Sequence, residues 1–226
     1  MKKYIIILGL ILGNFNLYAE ANETQEILHP VPKNMTASQK KKRFYSLLVP
    51  AVQKVHIELL RRYVRIRKDV VSKKNPQEVA YLKRKYKVTS DLELLYALYP
   101  HPQSIVLAQG AMESAWATSR FFREANNIFG MWSSNPNEAR IAAGNKRAGG
   151  RVIWLRKFET VEDSIRAYYE LMAKGKAFKA FRKTRYQTDD VFQIIKKLDK
   201  YSEIGDKYAQ ELGQVIRHNK LTKYDK

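Results

Sequence analysis

The sequence predicts a mostly α-helical fold with one small, glycine-rich β insert. From Val52 onward, apolar residues recur every three or four positions over most of the chain, as they do on the buried face of an amphipathic helix. Segment 130–158 departs from this pattern, because its glycines and an Asn-Pro-Asn sequence do not suit a long helix. The chain of 226 residues is long enough to bury a core, and it contains no cysteine that could form a disulfide framework or act as a thiol nucleophile.

Residues 1–21 are typical of a secretory signal peptide. Two lysines precede the apolar run 4–12, and Ala19 and Ala21 follow in the spacing found at cleavage sites. The apolar run is shorter than the roughly 20 residues that cross a bilayer. We therefore expect an exported protein of the periplasm or cell envelope, with a retained membrane anchor as the alternative.

The net charge of +20 indicates an anionic partner. A basic cytosolic protein would suggest nucleic acid, but an exported one meets the carboxylates of the cell wall and the lipid headgroups instead. We therefore expect attraction to the anionic cell-envelope surface and no nucleic acid. Neither a metal nor a cofactor is expected, because the four histidines lie far apart and no phosphate-binding glycine loop is present.

A flexible basic arm and a helical region are predicted to form the N-terminal part. The arm spans residues 22–49, where two prolines and the run Lys40–Arg43 favour extended, solvated chain. The helical region spans residues 50–100. Its first helix is predicted over 52–70, since apolar side chains recur there at spacings of three and four.

Further helices are predicted on both sides of the β insert. Segment 104–123 is rich in small and helix-forming residues, and we expect one long helix there that is buried on most sides. Thr160 and Asp163 fit a capping box at the start of another helix. The remaining predictions are short helices at 78–87 and 91–99, a strand at 151–158 and helices beginning at Thr188 and Asp206.

Glu113 is the unusual residue of the central helix. On a continuous helix its neighbours would be Gln109, Gly110, Trp116, Ala117 and Arg120. Because two of these residues are very small, we expect a trough with a carboxyl group beside an indole. Burial there would raise the pKa of the carboxyl group, as a general acid for glycoside cleavage requires. The alternatives are a solvated glutamate or a salt bridge to Arg120.

Four ordered blocks resemble the peptidoglycan N-acetylglucosaminidase family. Residues 108–119 resemble its LAQAAxESxWGxSxF signature, and residues 127–130 resemble its NLFG segment. Residues 158–168 and 200–212 resemble the two later blocks, with a YSE variant that is similar to the Bax-type branch. One departure is Ala117, which stands where glycine is usual.

The resemblance implies a lysozyme-like domain at 101–222, with an α-lobe and a small β-lobe flanking a cleft, preceded by the N-terminal helical segment. It also implies cleavage after N-acetylglucosamine in peptidoglycan glycan strands. Glu113 is then the general acid, and Tyr201 faces the cleft and orients the acetamido group of the substrate. The alternative for Tyr201 is a tyrosine of the core. The second catalytic group is Glu138, as a base for water, or the acetamido oxygen itself.

Six residues are candidates for substrate binding. Tryptophan faces in the β insert suit sugar rings, although each tryptophan could instead serve packing. Asn127 could instead brace the junction between the lobes. The candidates are Gln109, Trp116, Asn127, Phe129, Trp132 and Trp154.

Two other functions are compatible with the sequence. A lytic transglycosylase uses the same fold with a single glutamate, and it would leave anhydro-muramic ends rather than a reducing N-acetylglucosamine. A non-catalytic, cationic wall-binding protein would use the charge alone. Glu113 in its trough favours catalysis over binding alone.

Overall fold

The computed structural model describes residues 27–146, 152–202 and 204–225. The predicted signal peptide lies outside these residues. The described part is mostly α-helical, as predicted, and its one β hairpin corresponds to the predicted β insert. None of its helices is long and apolar enough to cross a bilayer. The helices are α1 (Ala37–Val71), α2 (Pro76–Tyr86), α3 (Asp91–Leu98), α4 (Gln103–Glu113), α5 (Arg120–Ala125), α6 (Val161–Lys174), α7 (Lys179–Gln187), α8 (Val191–Ile195) and α9 (Asp206–His218), and the strands are β1 (Arg140–Lys146) and β2 (Val152–Arg156).

Helix α1 begins inside the predicted flexible arm, so that prediction was wrong from residue 37 onward. Thr36 caps the helix: its side chain accepts a hydrogen bond from the Gln39 amide, and the Gln39 side chain accepts one from the Thr36 amide. Phe44 and Leu48 are buried and extend the apolar stripe backward from Val52. The apolar stripe favours a helix here despite the run of cations, because long cationic side chains can reach water from the outer face of a helix.

The main hydrophobic core surrounds α4, in which every residue from Gln103 to Ala111 is buried. Helices α1, α6, α8 and α9 contribute to this core. A second cluster joins the later part of α1 to α2 and α3. Phe44 and Val55 precede the predicted domain boundary at residues 100–101, yet they pack in the same core as α4. The boundary therefore does not separate two independent cores.

The hairpin packs against α5 through a small cluster of its own. Ile141 pairs with Leu155 in antiparallel register, and both are buried against Ala125. Strand β2 confirms the strand predicted at 151–158, of which residue 151 lies outside the described residues. The Asn126 side-chain amide donates to the carbonyls of Phe158 (3.0 Å) and Glu159 (2.9 Å), which ties the hairpin to the helical body.

Two helices in the last third differ from the predictions. The helix predicted from Thr188 begins at Val191, because the Asp190 carboxylate accepts from the amides of Phe192 and Gln193 and so caps the helix. Helix α7 was not predicted. Its buried side includes Arg182 and Arg185, which a pattern of apolar residues does not reveal.

Candidate active site

Glu113 is the last residue of α4, and its side chain is only partly exposed. Burial raises the pKa of its carboxyl group to about 8. The Tyr208 hydroxyl donates a hydrogen bond to Glu113 Oε1 at 3.3 Å, which acts in the opposite direction by stabilising the charged form. The carboxyl group is therefore protonated at neutral pH and has a donor ready for the anion that remains after proton loss.

The chain leaves the helix directly after Glu113, so the single helix predicted over 104–123 was wrong. Ala115, Trp116 and Ala117 all have positive φ angles, of 50°, 62° and 60°. The Ser114 hydroxyl donates to the Gly110 carbonyl (2.5 Å) and accepts from the Ala117 amide (2.8 Å), which satisfies backbone groups that the helix would otherwise have paired. The result is one turn of left-handed backbone, a conformation that disfavours residues with a Cβ.

This left-handed turn moves Trp116 away from the position that a helix would give it. Its indole packs edge-on against Phe44 and Tyr45 of α1, with ring centroids 5.3 and 6.0 Å apart, and Lys41 Nζ lies 5.0 Å from the ring centroid. Arg120 pairs with Glu124 at 2.9 Å. The prediction of a trough, with an indole one helical turn beyond the carboxyl group, was therefore wrong. The alternative prediction of a salt bridge between Glu113 and Arg120 was also wrong, because Arg120 pairs with Glu124.

Gly110, one of the two small residues of the predicted trough, lies against core side chains. A Cβ at this position would lie 3.4 Å from Ile128 Cγ1 and 3.8 Å from the rings of Phe129 and Phe44. These contacts are side chains of the core. A methyl group would therefore fit here in ordinary van der Waals contact, and the position lies against the core rather than beside an open cleft.

Three of the predicted substrate contacts are buried inside the protein. Gln109 is fully buried and bonded to two tyrosines, and Phe129 stacks on Tyr168 with ring centroids 4.1 Å apart. Asn127 donates to the carbonyls of Met131 and Arg156 and accepts from the Met131 amide, so it braces the junction with the hairpin. These three side chains therefore form no part of a surface that meets solvent.

Tyr201 is also buried, whereas the resemblance had implied that it faces the cleft. Its ring stacks on Tyr208 with centroids 5.0 Å apart. Its hydroxyl has no hydrogen-bond partner among the described residues. Tyr201 therefore supports the ring of Tyr208, the residue that donates to Glu113.

The other predicted site residues lie on the hairpin side of the molecule. The Trp132 side chain is 43% exposed, and Trp154 is half-buried with the Arg140 guanidinium 4.4 Å from its ring centroid. Glu138 forms an ion pair with Arg156, with Oε2 3.2 Å from Nε. Across the described ranges, no group of three or more histidine, aspartate or glutamate side chains is placed to hold a metal ion.

The sequence did not identify Tyr208, Tyr168 or His101 as parts of the site. All three are buried, and hydrogen bonds connect them to Gln109 and Glu113. The sequence does carry one sign of this hydrogen-bonded group, because Gln109 is a polar residue within an apolar helix and must find buried hydrogen-bond partners. The partners themselves could not be chosen among 14 tyrosines.

The chain matches one family model and is similar to one curated protein. It matches the family model of glucosaminidase, described as mannosyl-glycoprotein endo-beta-N-acetylglucosaminidase, over residues 89–221. It is 28% identical to the protein bax of Escherichia coli K12 over 222 residues, which covers 89% of this chain and 78% of that protein.

Two solved structures have the same fold. The catalytic domain of the autolysin Auto from Listeria monocytogenes aligns with a TM-score of 0.52 at 16% identity, covering 88% of this chain and 91% of that one. An N-acetylmuramoyl-L-alanine amidase from Staphylococcus aureus aligns with a TM-score of 0.50 at 17% identity, covering 88% of this chain and 49% of that one. The predicted lysozyme-like fold is thereby confirmed.

Proposed function

Because the chain belongs to the glucosaminidase family, we propose that it hydrolyses peptidoglycan, cleaving glycan strands after N-acetylglucosamine with Glu113 as the general acid. The protonation state of Glu113 is the main support for this proposal. A carboxyl group with a pKa near 8 keeps its proton at neutral pH and can deliver it to a glycosidic oxygen. The names of the relatives, among them an autolysin, support the cell wall as the substrate class.

The reaction begins with proton transfer from Glu113 to the leaving oxygen while an oxocarbenium-like sugar develops. The carboxylate that remains keeps the hydrogen bond from the Tyr208 hydroxyl. This donor is in place before the reaction, so it stabilises the new charge without reorganisation. Export to the cell envelope is part of the proposal and rests on the sequence of residues 1–21.

Glu138 is the proposed base that activates water. Its carboxylate lies in the hairpin region, where it forms an ion pair with Arg156. Two results together would support this role: inversion at the anomeric carbon by the unaltered protein, and loss of activity in Glu138→Gln. Retention, with activity kept in that variant, would assign the second step to the acetamido oxygen of the substrate.

Glu113→Gln tests the acid directly. We expect cleavage of purified sacculi to fall by about 10²–10⁴-fold, because an amide cannot donate the catalytic proton. The matched control is Glu159→Gln, which removes an exposed carboxylate next to α6 and should leave the rate unchanged.

The products of the unaltered protein test the bond specificity. Reducing-end N-acetylglucosamine supports the hydrolase, whereas anhydro-muramic ends would show a lytic transglycosylase. A folded Glu113→Gln protein that cleaves sacculi at the normal rate would refute the assignment of the acid. Binding to sacculi without any cleavage by the unaltered protein would leave a wall-binding protein.

A further inference from the structure

A row of buried side chains connects Glu113 to Arg185 on the far side of the main core. Tyr208 lies next to Glu113, and Gln109 Nε2 lies 3.0 Å from the Tyr208 hydroxyl. The Tyr168 hydroxyl bonds to Gln109 Oε1. His101 Nε2 lies 3.0 Å from the Tyr168 hydroxyl, and Arg185 Nη1 lies 3.3 Å from His101 Nδ1. We call these six residues the relay.

The relay has one direction, which Arg185 determines. A guanidinium group can only donate, so His101 Nδ1 must accept and the ring proton must be on Nε2. That proton is donated to the Tyr168 oxygen, and the proton of Tyr168 is then donated to Gln109 Oε1. The amide of Gln109 is thereby oriented with Nε2 toward Tyr208, whose own proton is left for Glu113 Oε1.

Arg185 is built into the fold as a permanent donor. Its Nη2 donates to the carbonyls of Tyr96 (2.6 Å) and Ala97 (3.3 Å) near the end of α3, where helix carbonyls carry partial negative charge. Burial lowers the pKa of the guanidinium to about 9, which still leaves it charged at neutral pH. Burial first, and then the Arg185 charge, holds the pKa of His101 well below its usual range, so the imidazole stays neutral.

We propose that Arg185, His101 and Tyr168 are positioning residues for Glu113, because the relay fixes the Tyr208 hydroxyl as a donor to Oε1 and leaves the catalytic proton on Oε2. This inference rests on the proposed role of Glu113 as the acid. Hydrogen bonds aligned in one direction polarise each other, so the last bond is strengthened by the bonds behind it. The relay therefore favours the carboxylate that forms when the proton is transferred.

Among the residues that the structure describes, three tyrosines interact electrostatically with Glu113. The titratable groups that face it are Tyr208 from α9, Tyr201 from the turn before α9, and Tyr168 from α6. At the other end, His101 is influenced by Arg185 from α7 and by His56 from α1. The tyrosines are uncharged over the working pH range, since burial raises the pKa of each well above its usual value.

Tyr168→Phe interrupts the relay at its middle. Without the Tyr168 proton, Gln109 can rotate its amide and accept from Tyr208, and Glu113 then loses its donor. We expect the pKa of Glu113 to rise by about one pH unit, because the charged form loses a hydrogen bond. The alkaline limb of activity on sacculi should move upward by the same amount.

The matched control is Tyr169→Phe, which removes a neighbouring buried hydroxyl. That hydroxyl bonds to the backbone carbonyl of His101 at 3.2 Å and stands 3.4 Å from His56 Nδ1, outside the relay. A loss of stability is common to both variants, but the shift in pKa is expected only for Tyr168→Phe.

Variants of Arg185 test the direction of the hydrogen bonds from the end of the relay opposite Glu113. They keep the proposal testable if Tyr168→Phe does not fold. Arg185→Met removes the obligatory donor, so His101 can change its tautomer and the relay can reverse. Arg185→Lys retains an obligatory donor. We expect a shift of the Glu113 pKa in Arg185→Met and a normal value in Arg185→Lys.

The measurement is a carbon-13 NMR titration of labelled glutamate, with the Glu113 signal assigned by its absence in Glu113→Gln. It does not depend on activity, so it separates this inference from the proposed function. An unchanged Glu113 pKa in folded Tyr168→Phe or folded Arg185→Met would overturn the relay. Full activity of Glu113→Gln, with the pKa shifts still observed, would overturn only the catalytic role.

Discussion

Glu113 occupies a position where its charged form is unfavourable, and this has consequences for stability as well as for chemistry. Its pKa in the folded protein is about 8, against a usual value of 4.5. Below pH 4.5 the group is protonated in both the folded and the unfolded states. Between these values the folded protein keeps a proton that the unfolded chain releases, so stability falls as pH rises.

Glu113→Gln should remove this pH dependence. Relative to the unaltered protein, we expect the variant to gain stability as pH rises from 4.5 to 8, by at most about 1.4 kcal/mol per pH unit, and no further gain above pH 8. Thermal unfolding of both proteins at pH 4, 6 and 9 measures the difference. An equal difference at all three values would mean that folding does not shift the pKa of this carboxyl group.

The left-handed turn after Glu113 is held in place by contacts from α1. Trp116 packs on Phe44 and Tyr45, and Arg43 Nη1 donates to the Ala117 carbonyl at 2.9 Å. Three consecutive residues with a Cβ at positive φ cost on the order of 1 kcal/mol or more each. The packing of α1 offsets that cost and so determines where α4 ends.

Substitutions at Ala117 test this element. Ala117→Val should lower the free energy of unfolding by about 2–4 kcal/mol, because a β-branched residue at a φ of 60° is strained and its extra methyl groups would overfill a buried site. Ala117→Gly is the control and should stay within about 1 kcal/mol, since relief of the positive φ balances the loss of a buried methyl group. Denaturant unfolding gives both values, and a fully stable Ala117→Val would contradict the strained turn.

The elements that the sequence predicted are those that local patterns determine. The Thr160 cap and the stripe on the first helix depend on residues three or four positions apart, and both are present. The left-handed turn was missed because part of what holds it is the contact of Trp116 with α1, about 70 positions away. The same holds at the site: Glu113 was predicted from its own segment, whereas its donor Tyr208 lies 95 positions later.

At the scale of the whole molecule, the net charge of +20 determines how the protein meets a surface. Several exposed cations of α1 contribute part of this charge. Arg61, Arg67 and Lys68 are exposed, and none of the salt bridges between described residues involves them. We therefore expect these cations to contribute to long-range attraction toward anionic cell wall.

Binding to purified sacculi should weaken as salt is added, because screening limits the attraction to about 10 Å at 0.1 M salt. A triple variant with glutamine at these three positions should bind less tightly at low salt and show a weaker salt dependence. The control exchanges Arg61 and Arg67 for lysine and Lys68 for arginine, which preserves the charge. Binding that is equal in all three proteins at every salt concentration would exclude the charge as the driving force.

Helix α1 joins the main core and the second cluster along one continuous helix that contains Pro50. Its first half, with Phe44 and Val55, belongs to the main core, and its second half, with Tyr63 and Ile66, belongs to the second cluster. At about 1.5 Å per residue, the 35 residues span about 50 Å. Unfolding either half of the helix would expose the apolar side chains that it contributes to its cluster. We therefore expect the two clusters to unfold together, so a substitution near Tyr63 should lower the stability of both.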